Sequence, residues 1–182
     1  MRFVGLDLSL NHTGLAELDG TGKLVNLMEV RPGNRTGVER LAYLQSALLA
    51  VLPAGPMVVA IEGYAMGAKG RVFHIGEWGG VARLSLMERD NCAVITLPPS
   101  NLKSFATCKG NAPKEFMIAA AKAALEYDGA MTDNEADAAL LALVARAWYL
   151  PSNLSTAQRQ ALQAATLDFS KGVKPLRTRQ RR

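Results

Sequence analysis

Short apolar runs, separated by glycine, proline and polar breaks, mark the first hundred residues of the chain. The first three runs are joined by Thr13-Gly14 and Asp19-Gly20, and the second of these junctions is a hairpin signal. Two later runs, "MVVAIEGY" and "CAVITL", are rich in Val and Ile, as buried strands are. We therefore predict five strands, at residues 2–10, 14–19, 23–30, 57–64 and 92–97.

Segments with apolar residues at helical spacing follow the hairpins and alternate with the later strands. The predicted helices lie at residues 37–52, 73–89, 100–107, 113–127, 132–149 and 155–169. Hairpins imply antiparallel pairing, whereas strand–helix–strand units imply parallel pairing with right-handed crossovers. The chain therefore predicts an α/β fold with a mixed five-stranded sheet, three antiparallel strands and then two parallel ones, and helices on both faces.

Composition limits the class of protein. The 182 residues are 49% hydrophobic and suit one globular domain, predicted at residues 1–150, with an extension at 151–182. No apolar run has the ~18 residues of a membrane helix. The first residues run directly into a strand, so we expect no signal peptide. Cys92 and Cys108 form no Cys-x-x-Cys pair, which argues against a disulfide framework or a zinc site and for a reducing compartment.

The excess positive charge of the chain lies at one end. Six of its 21 basic residues fall in the last twelve positions, "KGVKPLRTRQRR", which contain no acid. The other 15 basic residues are balanced by 16 acidic ones. Such a tail is typical of a flexible arm attracted to polyanions, usually nucleic acid, although it also occurs as a solubilising end without a partner.

Three acidic residues interrupt apolar elements. Asp7 lies inside the first strand, Glu62 follows "VVAI" in the fourth, and Asp137 lies on an Ala- and Leu-rich helix. A carboxylate among apolar neighbours is costly unless it is paired or bound to metal. Asp133 is four residues before Asp137 and shares its helix face. Two of these four acids also suit simpler roles. Asp133 suits a helix N-cap, and Glu62 suits an ion pair with an arginine.

The predicted topology places these acids near one another. The first and fourth strands would be parallel neighbours with adjacent carboxyl ends, and the last strong helix would pack on the sheet through the face that bears Asp137. Converging carboxylates repel one another unless cations neutralise them. All-oxygen ligation suits Mg²⁺ or Mn²⁺, and two such ions ~4 Å apart can activate water against a phosphodiester.

Four segments occur in the order found in one family. They are "GLDLSLNHTGLAEL", "VVAIEGYAMGAKGRVFHIGEWGGVA", "LPPSNLKSFATCKGNAPKEFMIAAAKAAL" and "DNEADAALLALV". Across residues 3–149 the chain resembles the RuvC-like Holliday junction resolvases, which have a ribonuclease H-like fold. Its divergence is more typical of phage or plasmid members than of the cellular bacterial enzyme.

The resemblance implies that Asp7, Glu62 and Asp137 are catalytic metal ligands for Mg²⁺, for which Mn²⁺ can substitute. In the family a fourth ligand lies three residues before the last aspartate. That position is Asn134 here, and Asp133 precedes it. Either residue can supply an oxygen, and we favour Asp133.

Basic residues in two loops are candidate DNA contacts. The segment from Pro98 to Lys114 holds three lysines and no acid, which suits a phosphate-binding surface. Those lysines are Lys103, Lys109 and Lys114. The resemblance matches Lys103 and Lys114 to family lysines, and we place Lys114 in the catalytic centre as well. Lys69 and Arg71, in the glycine-rich loop after the fourth strand, suit contacts to the DNA backbone.

Aromatic and glycine residues of the second motif have two interpretations each. The resemblance implies that Tyr64 wedges between bases at the crossover, a role that neighbouring Met66 can share, whereas a loop aromatic also folds back onto the core. Helix 73–89 carries several glycines, and in the family this helix forms a homodimer interface. Trp78 is either an anchor of that interface or a core residue. His74, at the helix start, is interpreted as structural or solvent-facing rather than as a general acid.

These observations favour a metal-dependent, structure-selective endonuclease that resolves four-way DNA junctions by paired nicks in the cytoplasm of a bacterial or phage-infected cell. A nuclease of the same fold that acts on flaps or replication forks is the first alternative. An actin-like ATP-binding phosphotransferase, which shares the Asp…Thr-Gly turn, and an inactive DNA-binding module are the others. The chain is short for the two-lobed phosphotransferases and shows no second phosphate loop.

Overall fold

The computed structural model describes residues 1–64 and 72–174, with the backbone alone at 72–75. Its strands are β1 (Arg2–Asp7), β2 (Thr13–Leu18), β3 (Leu24–Val30), β4 (Met57–Glu62), β5 (Cys92–Leu97) and β6 (Thr166–Lys171). Its helices are α1 (Gly37–Val51), α2 (Val72–Met87), α3 (Pro99–Thr107), α4 (Lys114–Leu125), α5 (Asp133–Tyr149) and α6 (Thr156–Gln163). None of these helices is both long enough and apolar enough to span a bilayer.

The strands form one mixed sheet in the order β3-β2-β1-β4-β5-β6. Strands β1, β4 and β5 are parallel, while β2, β3 and β6 pair antiparallel with their neighbours. The predicted α/β class and the pairing of the first five strands are confirmed. The carboxyl ends of β1 and β4 therefore lie side by side.

The prediction of five strands is wrong, because the described residues contain a sixth. Residues 155–169 were expected to form one helix, but a capping box between Ser155 and Gln158 starts α6, which ends at Gln163. The alternating segment that follows, Thr166–Lys171, pairs with β5. This pairing satisfies the backbone groups at the open edge of β5, which a helix would have left exposed. The extension after residue 150 thus completes the sheet.

Strand alternation divides the core between two faces of the sheet. Val4 and Leu6 of β1 point to the face covered by α1 and α2, where they pack with buried Leu44 and Trp78. Phe3 points to the opposite face, which is covered by α5 with α3, α4 and α6 around it. Asp7 has the same strand parity as Phe3, so it belongs to the α5 face.

Several predicted residues lie outside the described part of the chain. These are Met66, Lys69 and Arg71 of the glycine-rich loop, the side chain of His74, and residues 175–182 of the basic tail. Their assigned roles stay predictions.

Candidate active site

A row of residues crosses four strands at one level of the sheet. Asp7 of β1 is paired with Gly14 of β2, and Gly14 is paired with Glu29 of β3. On the other side of β1, Leu6 is paired with Ile61 in parallel register, so Asp7 and Glu62 are the next residues of two neighbouring strands. Neighbouring strands lie about 4.8 Å apart. The order Glu29, Gly14, Asp7, Glu62 therefore places three carboxyl groups on one face.

Two glycines let α5 lie against this row. A Cβ atom on Gly5 would overlap the carbonyl oxygen of Ala138 and lie 2.8 Å from Leu141 Cβ. A Cβ atom on Gly14 would overlap the carbonyl oxygen of Asn134 and lie 3.2 Å from Ala138 Cβ. The backbone of α5 thus sits directly on β1 and β2, and its first turns lie over the gap that Gly14 leaves in the row.

The start of α5 fixes the two aspartates of the last motif. Thr132 caps the helix by accepting a hydrogen bond from Glu135 N, while the Glu135 side chain accepts one from Thr132 N. This capping box makes Asp133 the first helical residue and sets the rotation of the helix. Asp137 follows one turn later, on the same side of the helix. Thr132 rather than Asp133 is therefore the N-cap residue.

Burial and mutual repulsion raise the pKa values of three carboxyl groups. Burial, followed by the charges of Glu62, Asp137 and Asp133, raises the pKa of Asp7 to about 8. Burial and the charge of Asp137 raise the pKa of Glu62 to about 7. Burial and the charge of Asp133 raise the pKa of Asp137 to about 6. The four acids singled out in the sequence therefore share one electrostatic environment, although they come from three separate elements.

Two of the predicted lysines border this cluster. Lys114 Nζ donates a hydrogen bond to Asp133, which holds the pKa of Asp133 below and that of Lys114 above their ordinary values. The charge of Lys103 lowers the pKa values of Glu62 and Asp137 against the larger effects of burial and repulsion. Lys109 is exposed on the loop between α3 and α4. Positive charge thus reaches the cluster from two helices, α3 and α4.

The donor chemistry fits a hard divalent cation. The candidate ligands are carboxylate oxygens, which Mg²⁺ and Mn²⁺ prefer, and their repulsion is relieved by a bound cation. Within residues 1–64 and 72–174, no three Asp, Glu, His or Cys side chains already stand in the arrangement of a metal site. The elements are thus in place for a metal centre, whereas the side chains as they stand do not enclose an ion.

The metal-free protein is expected to lose stability as pH rises from about 4 to about 8. Asp7, Glu62 and Asp137 have ordinary pKa values of 3.8, 4.5 and 3.8, and all three are raised in the folded state. Between the two sets of values the folded protein holds protons that the unfolded chain has released, so rising pH favours unfolding. Thermal denaturation in EDTA between pH 4 and 9 measures this. A midpoint that rises across the window contradicts the clustering.

The two candidates for the fourth ligand differ in their surroundings. The charge of Asp133 acts on both Asp7 and Asp137. Asn134 instead donates a hydrogen bond from Nδ2 to Glu29 Oε2 at 3.0 Å, so its amide is held toward β3. These contacts favour Asp133 over Asn134 as the residue that faces the cluster.

Glu29 is a site residue that the sequence did not reveal. Its side chain is only 6% exposed and accepts hydrogen bonds from His12 Nδ1, Arg31 Nε, Thr132 Oγ1 and Asn134 Nδ2. Burial alone would raise its pKa, but these four donors outweigh burial and lower it to about 2. Glu29 therefore remains an anion that ties β3 to the first turn of α5.

Tyr64 lies against α2, whereas Trp78 of α2 points into the core. The Tyr64 hydroxyl lies where a side chain on Gly79 would be, and the Arg83 guanidinium lies 5.7 Å from the centre of its ring. Tyr64 is nevertheless 43% exposed. Trp78 is fully buried, and its Nε1 donates to Thr13 Oγ1 at 3.1 Å. Of its two interpretations, the core residue is therefore the right one for Trp78.

Comparison with known proteins gives a match at the level of structure. No protein-family model matches the chain, and no curated protein matches its sequence. The structure of Thermus thermophilus RuvC is similar with a TM-score of 0.68 and 20% identity, over 92% of this chain and 99% of that one.

Two further solved structures are similar. T. thermophilus RuvC in complex with Holliday junction substrate has a TM-score of 0.64 and 20% identity, over 79% of this chain and 90% of that one. The fowlpox virus Holliday junction resolvase has a TM-score of 0.53 and 14% identity, over 80% and 98% of the two chains. The chain therefore has the fold of the RuvC-like Holliday junction resolvases.

Proposed function

We propose that this protein is a metal-dependent, structure-selective DNA endonuclease that resolves four-way junctions by paired, symmetric nicks during DNA recombination and repair. The observation that carries the proposal is the meeting of Asp7, Glu62 and Asp137 on one face of the sheet. There the charges of Glu62 and Asp137 raise the pKa of Asp7, and the charge of Asp137 raises the pKa of Glu62. The shared fold with solved junction resolvases supports it. Such an enzyme acts where DNA lies, so we place it in the cytoplasm of a bacterial or phage-infected cell.

The carboxylates serve as the proposed metal ligands. Asp7, Glu62, Asp133 and Asp137 would hold Mg²⁺, with Mn²⁺ as a substitute and two ions in each site. A metal held by these residues would supply a Lewis acid for the phosphodiester and would lower the pKa of the attacking water. Strands β1 and β4 fix the spacing of two ligands and α5 fixes that of the others, which orients the reacting groups before the DNA arrives. In-line attack by water would leave a 5′-phosphate and a 3′-hydroxyl.

Lysines beside the cluster are the proposed contacts to DNA. Lys103 and Lys114 lie close enough to influence the carboxylates, so each suits a phosphate next to the one that is cut. Lys114 in addition restrains Asp133 and would stabilise negative charge during the reaction. Lys109, Lys69, Arg71 and the basic tail would add affinity that is independent of sequence and weakens with salt. Tyr64, which is partly exposed, remains the proposed contact to bases at the crossover.

The protein is proposed to act as a homodimer, because a two-fold junction needs two equivalent sites. One face of α2 is open: Cβ atoms on Gly76 and Gly80 would meet no described atom within 4 Å, and Leu84 and Met87 are 60% and 57% exposed. These residues recur every three or four positions and lie along one side of the helix. A second copy of α2 would cover this face.

Leu84→Lys is expected to convert the dimer into a monomer, because it places a charge in the proposed helix contact. Light scattering after size-exclusion chromatography measures the mass. Val25→Lys is the matched control, since Val25 is also half exposed but lies on β3 at the far edge of the sheet. A parent protein that is monomeric at all concentrations, or an L84K variant that stays dimeric, contradicts this interface.

The function is tested by incubating the protein with a labelled synthetic four-way junction and Mg²⁺, beside flap and fork substrates of the same sequence. The proposal predicts symmetric nicks in two opposed strands of the junction, and none when EDTA replaces Mg²⁺. Preferential cutting of flaps or forks favours the first alternative. Tight binding without nicks favours a DNA-binding module, and ATP binding in calorimetry favours a phosphotransferase.

A further inference from the structure

A cleft of about 370 Å³ lies beside the carboxylate cluster. The loop between β1 and β2, the end of β3 and the start of α5 form its walls. Asp133 is common to the cleft and the cluster, since it lines the first and its charge acts on Asp7. The strand spacing puts Glu29, at the base of the cleft, about 10 Å from Asp7. The cleft thus continues the candidate active site toward β3.

Glu29 holds two basic side chains at the rim of this cleft. His12 Nδ1 and Arg31 Nε donate to the same oxygen, Oε1, at 2.7 and 2.6 Å. The other oxygen accepts from Thr132 and Asn134, so the carboxylate itself is anchored to α5. Both basic side chains remain open to solvent, at 49% exposed for His12 and 63% for Arg31. Their orientation is therefore fixed at one end only.

The outer nitrogens of this pair are available for a ligand. A carboxylate can only accept, so the Nδ1 contact makes His12 the donor there and leaves Nε2 for another group. Among the residues that the structure describes, nothing bonds to His12 Nε2 or to either Nη of Arg31. Two Nη donors in a rigid fork match the oxygens of a phosphate. Tethering through Nε reduces the side-chain entropy that Arg31 loses on binding.

We propose that Arg31, assisted by His12, binds a backbone phosphate of the DNA strand that enters the active site. This inference rests on the proposed function, and it adds a contact on the β3 side of the cluster, whereas Lys103 acts on Glu62 at the β4 side. At ~3.4 Å per nucleotide along one strand, the 10 Å offset places this phosphate about three nucleotides from the one that is cut. The contact positions the strand and reads no sequence.

Binding of a labelled four-way junction in EDTA, over a range of salt concentrations, tests the proposal without cleavage. Arg31→Ala is expected to weaken binding about ten-fold at 0.15 M salt, a common value for a charged hydrogen bond. It should also flatten the slope of log affinity against log salt by about 0.9 for the lost phosphate. His12→Ala should weaken binding less. Arg31→Lys should restore the slope without all of the affinity, because it keeps the charge and loses the fork.

Arg35→Ala is the matched control, because it removes the same charge beside α1, on the opposite face of the sheet, and should leave both quantities unchanged. A second measurement locates the phosphate. Neutral methylphosphonate linkages are placed one at a time within four nucleotides of the cleavage site. One position should weaken the parent and have no further effect on R31A, as expected for two halves of one contact.

The outcomes separate this inference from the proposed function. If the parent binds the junction and R31A binds it equally well with the same salt slope, the phosphate site is wrong and the endonuclease proposal stands. Additive losses from R31A and every methylphosphonate also contradict it. If the parent binds no DNA at any salt concentration, both proposals fail.

Discussion

Replacing Asp7 with asparagine is expected to abolish junction cleavage and leave junction binding intact. Asp7 is the member of the cluster whose pKa is raised furthest, to about 8, and the charges of all three other acids act on it. It is therefore the proposed ligand closest to the centre of the charge. A metal contact is worth several kcal/mol of transition-state stabilisation, which corresponds to a loss of roughly 10³-fold in rate. Single-turnover cleavage of the labelled junction measures this loss.

The stability of the same variant gives an independent check. Most substitutions destabilise a protein, but Asp7→Asn removes a largely buried charge from a repelling cluster. In EDTA at pH 9 its thermal midpoint should therefore lie above that of the parent, and added Mg²⁺ should stabilise it less. Asp90→Asn is the matched control, because Asp90 is 82% exposed and, among the residues that the structure describes, pairs only with Lys171. An active D7N variant, or one with a lowered midpoint in EDTA, contradicts the assignment.

Replacing Gly5 with alanine is expected to destabilise the protein by about 3 kcal/mol, the upper part of the range for overpacking. The added methyl group would overlap two backbone groups of α5, at Ala138 and Ala142, rather than side-chain ends that can move aside. The helix must then shift away from β1. Because Asp137 lies on that helix, cleavage should fall by about 10² even below the melting temperature, as for a misplacement of ~1 Å. Urea denaturation and the junction assay measure the two effects.

Gly55→Ala is the control for this substitution. A Cβ atom on Gly55 would meet nothing within 4 Å among the described atoms, so the variant should match the parent in stability and cleavage. Gly14→Ala should resemble G5A, with a larger share of its effect on cleavage, since Gly14 lies in the row between Asp7 and Glu29. A G5A variant as stable as the parent would mean that α5 does not lie on β1 as described.

Much of the site was predictable from strand periodicity. Asp7 and Glu62 interrupt apolar strands, and the rule that strand–helix–strand units pair in parallel places them side by side. The helical spacing of Asp133 and Asp137 gave their common face. The reason α5 lies so near, the absence of side chains at Gly5 and Gly14, is evident only when the hairpin and the helix are seen together.

Glu29 and β6 are two features of the structure that the sequence did not predict. The pairing of β2 with β3 shifts at Glu17 and Leu18, so counting residues back from the Asp19-Gly20 turn does not give the register that aligns Glu29 with Gly14. A glutamate near the end of an edge strand is also ordinary on a solvated face. In β6, the helical pattern of the preceding residues runs on into Thr166–Lys171 without a strong break, and pairing with β5 decides its structure. Long-range pairing overrides local propensity in both places.

The sequence also left open which side of α2 is buried. Three glycines in α2 were consistent with a close contact, but Gly79 faces Tyr64, whereas a Cβ atom on Gly76 or Gly80 would meet no described atom within 4 Å. Trp78, on the same helix, points into the core and bonds to Thr13. Spacing on a helix tells which residues share a side, and only packing tells which side is buried.

The most direct test of the account is a crystal structure of the protein with Mn²⁺, analysed by anomalous scattering. We predict anomalous peaks between Asp7, Glu62 and Asp137, within coordination distance of their carboxylate oxygens. A carboxylate oxygen of Asp133 should also lie within coordination distance of a peak. Peaks elsewhere on the molecule, or none at millimolar Mn²⁺ and pH 8, would show that these carboxylates do not form a metal centre, and the proposed chemistry would fall with them.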